Sequence, residues 1–375
     1  MCPDEMIFGG RLGLIQRVLP VYRAPFFDAL ASVCAGGLGV FAGQPRADES
    51  IVSAKELNTA HWTHANNLHL LRGPLYLCFQ RGLMDWLREW NPTALIVEAN
   101  PRYRTTPGTI KWMHQKGLPV IGWGLGSPPT AGWFAGLRRG SRLKFLRQFD
   151  ALISYSARGA EQYTALGFAS DKIFVAPNAT APAPTFPMPV RAPQFDGRPV
   201  ALYVGRLQAR KRLDDLIRAC AALPETLQPR LIIVGDGPER ERLEALTVQI
   251  YPATEFAGAK FGAELSPYFN AADLFVLPGT GGLAVQEAMS YGLPVIVARG
   301  DGTQDDLVRL GNGWQIPDED ISTLLKVLEV ALSDPARLRR MGEESYRIVR
   351  EEINIEKMVE VFVGAVNTVT KHPEG

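Results

Sequence analysis

Two groups of residues in the second half of the chain have the types and spacing to handle a charged substrate. The first is Gly205-Arg206-Leu207-Gln208-Ala209-Arg210-Lys211, placed where an apolar strand-like run ends and a helix-like stretch begins. A glycine allows a sharp turn, so Arg206 and Lys211 project from the carboxyl end of a strand. Arg offers a planar fork and Lys a point charge, a pair suited to a diphosphate. The second group is Leu277-Pro278-Gly279-Thr280-Gly281-Gly282-Leu283-Ala284-Val285-Gln286-Glu287, which reads as strand, glycine-rich turn and helix start. Free amides at a helix start receive anionic oxygen. Glu287, on the first helical turns, has the reach to accept two hydroxyl hydrogen bonds from a ribose.

The same turn fits a dinucleotide fingerprint, Gly279-x-Gly281-x-x-Ala284, with Asp301 about 20 residues on. An NAD-dependent or epimerase-type enzyme is therefore an alternative. Against it, three strand-like runs of this half precede the turn, whereas the fingerprint opens the first βαβ unit of its domain. That reading also leaves Arg206, Lys211 and Glu287 without roles.

Such residues need strands to aim them. In the second half, apolar runs at 200–205, 231–235, 274–277 and 294–298 alternate with helix-like stretches at 212–223, 239–249, 266–271 and 283–291. After Glu319 the chain reads as helices only. The first half alternates too, with strand-like runs at 11–15, 94–97, 119–122 and 151–154. Short apolar strands alternating with helices imply parallel sheets covered on both faces. Ligands of such sheets bind outside the carboxyl ends of the strands. Residues 181–199 hold six prolines, which remove donors and fix φ, so this stretch reads as a linker. The expected layout is an α/β protein with a Rossmann-like domain at 1–180, the linker at 181–199 and a second Rossmann-like domain at 200–350. A C-terminal helix at 351–375 would pack back toward the first domain.

Charge supports this division. The chain carries 40 basic and 39 acidic side chains, a net charge of +1, which argues against a nucleic-acid binder. Residues 1–180 hold 19 basic and 12 acidic side chains, leaving 21 and 27 for the remainder. The four cysteines (Cys2, Cys34, Cys78 and Cys220) are scattered and read as free thiols in a reducing compartment. The N-terminus lacks a basic-then-apolar leader, and no apolar run is long enough to span a bilayer. The protein is expected in the cytoplasm. His61, His64 and His69 invite a metal reading, but H-x-x-H without a glutamate or a further ligand type is weak, and polar loop or sheet residues are expected. Residues 133–149, from Trp133 to Phe149, carry five basic and no acidic side chains with interleaved aromatics. They suit either peripheral contact with the inner face of an anionic membrane or a packed helix with one solvated basic face.

In this order, Arg206 with Lys211, Gly235-Asp236-Gly237-Pro238, the glycine-rich turn with Glu287-Ala288-Met289, and Gly292-Leu293-Pro294-Val295 resemble the GT-B glycosyltransferases of family 4. The resemblance is strongest over residues 199–350 and continues upstream through Val175-Ala176-Pro177-Asn178. It implies two Rossmann-like domains facing across a cleft, with the donor in the C-terminal domain and the acceptor in the N-terminal one. It also implies retaining transfer from a UDP- or GDP-sugar to a saccharide or glycolipid hydroxyl in polysaccharide biosynthesis, with no cofactor required.

By that resemblance, Gly205 is part of the donor-binding turn, and Arg206 and Lys211 neutralise the donor diphosphate and stabilise its charge as the glycosidic bond breaks. Gly281, Gly282 and Leu283 offer backbone amides to phosphate and sugar, Glu287 holds the ribose, and the backbone near Ala259 and Lys260 reads the base. Gly235-Asp236-Gly237-Pro238 is a structural turn into a helix. In the first half, Glu98 is the carboxylate able to assist proton transfer, and Arg17, Tyr22, Arg23, Arg102 and Arg104 are acceptor-side candidates. Two positions depart from the family pattern. Gly279 stands where a glutamate normally contacts the donor sugar, and Leu125 stands where many relatives have a histidine. Front-face transfer needs no protein nucleophile, because the leaving phosphate takes the acceptor's proton. The departures also motivate a non-enzyme alternative, a degenerate sugar-nucleotide-binding protein.

Overall fold

Apolar runs buried on both faces pair into two mainly parallel sheets in the computed structural model, which describes residues 7–46, 48–49, 51–128, 135–300 and 304–371. Contacts divide the chain into two units, residues 1–181 with 355–375, and residues 182–354.

The first unit holds an eight-stranded sheet. Its strands are β1 (Leu12–Val18), β2 (Leu38–Gly43), β3 (His61–Leu70), β4 (Leu77–Arg81), β5 (Ala94–Glu98), β6 (Val120–Gly124), β7 (Ala151–Ser154) and β8 (Ile173–Val175), in the order β4-β3-β2-β1-β5-β6-β7-β8. All neighbours run parallel except β3 and β4, which are antiparallel. Helices α1 (Ala24–Ser32), α2 (Leu83–Trp90), α3 (Thr106–His114), α4 (Ala135–Leu146) and α5 (Ala157–Leu166) connect them. A core around Trp86, Leu87, Leu95, Met113, Val120 and Leu152 fills one side of the sheet. Helix α5 shows the local logic: Ser156 caps it through Gly159 N–H, and Gly167, at φ 108°, ends it.

Strands β2, β3, β4 and β8 add to the four runs expected from sequence. Strand β3 (HWTHANNLHL) is largely solvent-facing, so its composition is polar although its backbone pairs on both sides. It carries the three histidines of the sequence cluster. His69 Nδ1 meets Tyr76 Oη at 2.8 Å, and the His64 ring lies against Trp62.

The second unit is a six-stranded, fully parallel sheet in the order β11-β10-β9-β12-β13-β14. Its strands are β9 (Val200–Val204), β10 (Arg230–Val234), β11 (Thr254–Gly258), β12 (Leu274–Leu277), β13 (Val295–Ala298) and β14 (Gly313–Ile316). The covering helices are α6 (Leu213–Ala222), α7 (Arg240–Ile250), α8 (Ser266–Ala271), α9 (Ala284–Ser290), α10 (Ile321–Leu332) and α11 (Pro335–Glu351). The strand order reverses between β9 and β12, which opens a crevice at their carboxyl ends. The corresponding reversal in the first unit lies between β1 and β5.

The proline-rich stretch is tied to the second unit. The Arg191 guanidinium donates to the carbonyls of Phe269, Ala272 and Tyr291 at 2.7–2.9 Å, and burial pushes its pKa down to about 10. Tyr346 Oη donates to Phe186 O at 2.6 Å. The last helix, α12 (Ile355–Lys371), returns to the first unit, where Phe362 packs edge-on to Phe26 and Trp123 at 4.9 and 5.0 Å. Among the described residues, no helix is long and apolar enough to cross a membrane.

Candidate active site

The crevice of the second unit gathers both groups singled out by spacing. Gly205 and Arg206 follow β9 directly, and the glycine-rich turn follows β12. Lys211 is only 5% exposed, yet its ammonium finds a carbonyl, Thr280 O at 2.9 Å, rather than a carboxylate. Arg210 Nη1 donates to the same oxygen at 2.9 Å, and its Nε donates to Gln208 Oε1 at 3.1 Å. Burial, then the charge of Arg210, brings the Lys211 pKa down to about 8. Arg206 is exposed, and its carbonyl accepts from Tyr203 Oη at 3.1 Å. Among the described residues, Arg206, Arg210 and Lys211 pair with no carboxylate. Arg212 beside them is held by Asp215 at 2.6 Å and Glu319 at 2.9 Å.

The turn is packed from beneath. A Cβ at Gly279 would lie 2.2 Å from Arg210 O and 2.7 Å from Lys211 Cα, so the sugar-contacting glutamate of the family pattern has no room in this conformation. Gly281, at φ 65°, leaves its side-chain position open to Arg210 Nη1, 3.0 Å from an ideal Cβ. The amides of Gly281, Gly282 and Leu283 donate to no group among the described residues. Glu287 sits in the first turn of α9, half-buried, and burial raises its pKa. Gly235-Asp236-Gly237-Pro238 is the floor under Gly205–Leu207: a Cβ at Gly235 would meet Gly205 O at 1.9 Å, and one at Gly237 would meet Leu207 O at 2.3 Å. Helix α7 begins at Arg240, two residues beyond Pro238. Ala259 and Lys260 follow β11, with Lys260 Nζ 4.0 Å from Glu264.

The first unit gathers a second polar group at the ends of β1 and β5. Glu98, the last residue of β5, accepts a short hydrogen bond from Arg17 N–H. Burial raises the Glu98 pKa to about 7, although that amide and the guanidinia of Arg17 and Arg23 pull it down. The Arg17 side chain is itself paired with Glu49 at 2.7 Å. Tyr103 is buried beside this cluster, and desolvation moves its hydroxyl well above the ordinary range. Arg23 is 3% exposed. Its guanidinium donates to Asn178 Oδ1, reaches Met358 Sδ at 3.7 Å and lies over the rings of Trp123 and Tyr155 at 5.0 and 5.2 Å. Tyr22 is half-buried and its ring lies 5.3 Å from that guanidinium. Arg102 and Arg104 are exposed on the loop after β5. Leu125, just beyond β6, is 49% exposed.

Residues 189–348 match the protein family described as "Glycosyl transferases group 1". These residues are similar to the group 1 glycosyltransferases. A sulfoquinovosyl transferase of Arabidopsis thaliana is 42% identical over 111 residues, 29% of this chain and 21% of that protein. A GDP-mannose-dependent alpha-mannosyltransferase of Mycobacterium tuberculosis is 37% identical over 125 residues, 32% of this chain and 31% of that protein. The chain thus spans about a fifth to a third of the length of these curated relatives. Among solved structures, the HepE protein of Anabaena in complex with UDP is similar with a TM-score of 0.67, at 15% identity, over 96% of this chain and 99% of that one. The fold is accordingly GT-B, with two Rossmann-like units.

The matched region contains Gly205, Arg206, Lys211, Ala259, Lys260, Gly281, Gly282, Leu283 and Glu287. Its crevice brings together the 205–211 segment and the glycine-rich turn. In the dinucleotide alternative the turn follows the fourth strand of its unit, and Asp301 lies outside the described residues. Two residues at the turn were given no role by sequence reasoning. Arg210 lies inside the Arg206-to-Lys211 spacing, and its local sequence, with Asp214 and Asp215 close by, does not mark it as unpaired. Gln304 is 7% exposed, its Nε2 lies 3.4 Å from Gly282 O, and its Oε1 has no partner among the described residues. Nothing in its local sequence marks it. In the first unit, Glu49 and Tyr103 were likewise invisible because their partners are distant in sequence.

Proposed function

We propose that the protein transfers a sugar from a nucleotide-sugar donor to a hydroxyl acceptor, a saccharide or glycolipid, with retention at the anomeric carbon. One observation carries the reading: Arg206, Arg210 and Lys211 line the switch-point crevice beside a glycine-rich turn, with no carboxylate partner among the described residues. A diphosphate supplies the missing charge. In this scheme Arg206 and Lys211 hold the diphosphate, the amides of Gly281, Gly282 and Leu283 meet phosphate and sugar oxygens, and Glu287 accepts from the ribose. The backbone at Ala259 and Lys260 reads the base.

The bond between the anomeric carbon and the diphosphate oxygen breaks as the acceptor oxygen bonds to the same face. The acceptor's proton passes to the departing phosphate, and the two cations stabilise the charge that grows there. Positioning supplies much of the remaining acceleration. Glu98, with a pKa of about 7, has the acidity for proton exchange at neutral pH, and we assign it an assisting role on the acceptor. Arg17, Tyr22, Arg102 and Arg104 are the acceptor-side residues of this scheme; Arg23 enters it through the aromatic cluster it anchors.

Uridine and guanosine donors are both supported by relatives, one holding UDP and one named for GDP-mannose. No cofactor is required in this scheme. A peripheral membrane contact through residues 133–149 is supported by α4, where Leu137 is 74% exposed and Arg139 and Lys144 face solvent, while Phe145, Leu146 and Phe149 are packed inside. Trp133 and Phe134 lie outside the described residues. The placement we assign is cytoplasmic, at the inner face of a membrane.

A thermal-shift panel of UDP, GDP and NAD tests the reading. Stabilisation by UDP or GDP, lost in Lys211→Ala, is expected. Stabilisation by NAD alone would sink it.

A further inference from the structure

We propose that Arg210 selects donors whose sugar itself carries a negative charge, such as a uronic acid or a sulfonated or phosphorylated hexose. The inference rests on the glycosyltransferase reading and deepens it.

Three observations converge. First, among the described residues three basic side chains stand at the crevice, one more than a diphosphate has negative charges, with Glu287 given to the ribose in the proposed scheme. Arg206 and Lys211 already match its two negative charges, and Arg210 adds a third cation with no carboxylate partner among the described residues. Several other arginines of this unit are neutralised: Arg230 by Glu255, Arg240 by Glu244, Arg242 by Glu239 and Arg347 by Glu344. Unpaired cations gathered around one carbonyl repel one another, so the arrangement is stable when an anion joins it.

Second, Arg210 stands nearer than Lys211 to Gly281, whose amide meets the donor in the proposed scheme. Its Nη1 donates to Thr280 O at 2.9 Å and lies 3.0 Å from the side-chain position of Gly281, whereas Lys211 Nζ is 3.9 Å from that position. Nε is held by Gln208 Oε1 at 3.1 Å. Two of its nitrogens are therefore fixed by neutral oxygens, which orients the guanidinium plane, and Nη2 keeps donors for a ligand. A planar fork of this kind matches a carboxylate or sulfonate edge.

Third, the backbone beside Arg210 leaves no space for a carboxylate at position 279. An ideal Cβ at Gly279 would lie 2.2 Å from Arg210 O and 2.7 Å from Lys211 Cα. A carboxylate at 279 would repel an acidic sugar; a guanidinium at 210 attracts one. The same segment thus excludes one charge and supplies the opposite one, and both features favour the same donor class.

The test compares acidic and neutral sugars on one nucleotide by isothermal titration calorimetry with the full-length chain. UDP and GDP are titrated first. The nucleotide that binds then selects the pair: UDP-glucuronate against UDP-glucose, or GDP-mannuronate against GDP-mannose. The wild-type protein is expected to favour the acidic sugar by about tenfold, the size of one charge-assisted contact. Arg210→Gln should bring that ratio near one, and Arg210→Lys should retain most of it. The ratio is read within each variant, so a general weakening of the crevice cancels. A ratio near or below one in the wild type overturns the proposal, and so does a preference that survives Arg210→Gln. If Arg210 serves only to brace Thr280, the substitution lowers both affinities equally and the ratio stays put. Failure of UDP and GDP alike to bind overturns the glycosyltransferase reading as well, and so is distinguished from a wrong sugar assignment.

Discussion

Replacing Gly279 with alanine asks whether the glycine-rich turn is set by the backbone beneath it. Gly279 is not in the left-handed region, so alanine meets no dihedral penalty and the perturbation is steric alone. The added methyl would lie 2.2 Å from Arg210 O, 2.7 Å from Lys211 C and 2.7 Å from Lys211 Cα. These are backbone atoms of the diphosphate-binding segment and cannot rotate away. Relief to ordinary contact needs a shift of about 1 Å, and overpacking of this kind costs about 1–3 kcal/mol. At about 2 kcal/mol the melting transition of a unit this size falls by about 4–8 °C. The same shift breaks the geometry at Thr280, where its N–H donates to Arg210 O at 3.2 Å and its carbonyl receives Arg210 and Lys211, both at 2.9 Å. A displacement of about 1 Å in a positioning element lowers turnover about a hundredfold. Scanning calorimetry reads the stability loss, titration of UDP and GDP reads the disturbed turn, and nucleotide release from the donor reads turnover. Gly300→Ala is the control, since nothing lies within 4 Å of its side-chain position. Should Gly279→Ala melt with the wild type and bind the nucleotide equally well, the close-packing account of the missing glutamate is wrong.

Lys211 gives two opposite pH trends. Its folded pKa of about 8 lies below the ordinary lysine value of 10.5, so the unfolded chain holds the extra proton between those values and stability rises across that window. Nucleotide diphosphate affinity falls over the same window as the free protein loses the cation, and Lys211→Ala removes both trends in calorimetry and titration. Glu98 behaves as a raised carboxyl: the folded state keeps its proton to about pH 7 and the unfolded state loses it near 4.5, so stability drops as pH climbs between them. Glu98→Gln, which still accepts from Arg17 N–H, should raise the melting temperature at pH 8 and change it little at pH 4.5. Equal shifts at both values would refute the burial argument. Arg23→Ala removes the hydrogen bond to Asn178 and the stacking over Trp123 and Tyr155, at a cost of about 2–4 kcal/mol. A loss under about 0.5 kcal/mol by calorimetry would show that Arg23 is not a structural tie.

The strands that aim the donor-side residues were legible because each is a short apolar run buried on both faces. Runs 200–205, 231–235, 274–277 and 294–298 correspond to β9, β10, β12 and β13. Strand β3 escaped because its side chains face solvent on much of their surface, and hydrophobic periodicity has nothing to report there. Strand β2 is buried throughout, but its short LGVFAG run is broken up by glycines. The helix after the glycine turn came out shorter than the expected 283–291, running Ala284–Ser290, because helix ends depend on local capping that periodicity does not resolve.

By itself the sequence determined which residue types could meet phosphate: a glycine followed by Arg206 and Lys211, and a second glycine turn followed by Glu287. Those are local properties, carried by side-chain charge, backbone freedom and spacing of a few residues. The sheet order was not local. Only the tertiary structure set β9 beside β12, and so brought Arg210 and Lys211 against Thr280, 70 and 69 residues away. It also decided that Gly279 has no space for a side chain and that Arg23 is buried against Asn178 and Met358. Each depends on burial against segments far along the chain, a free energy that no local pattern records.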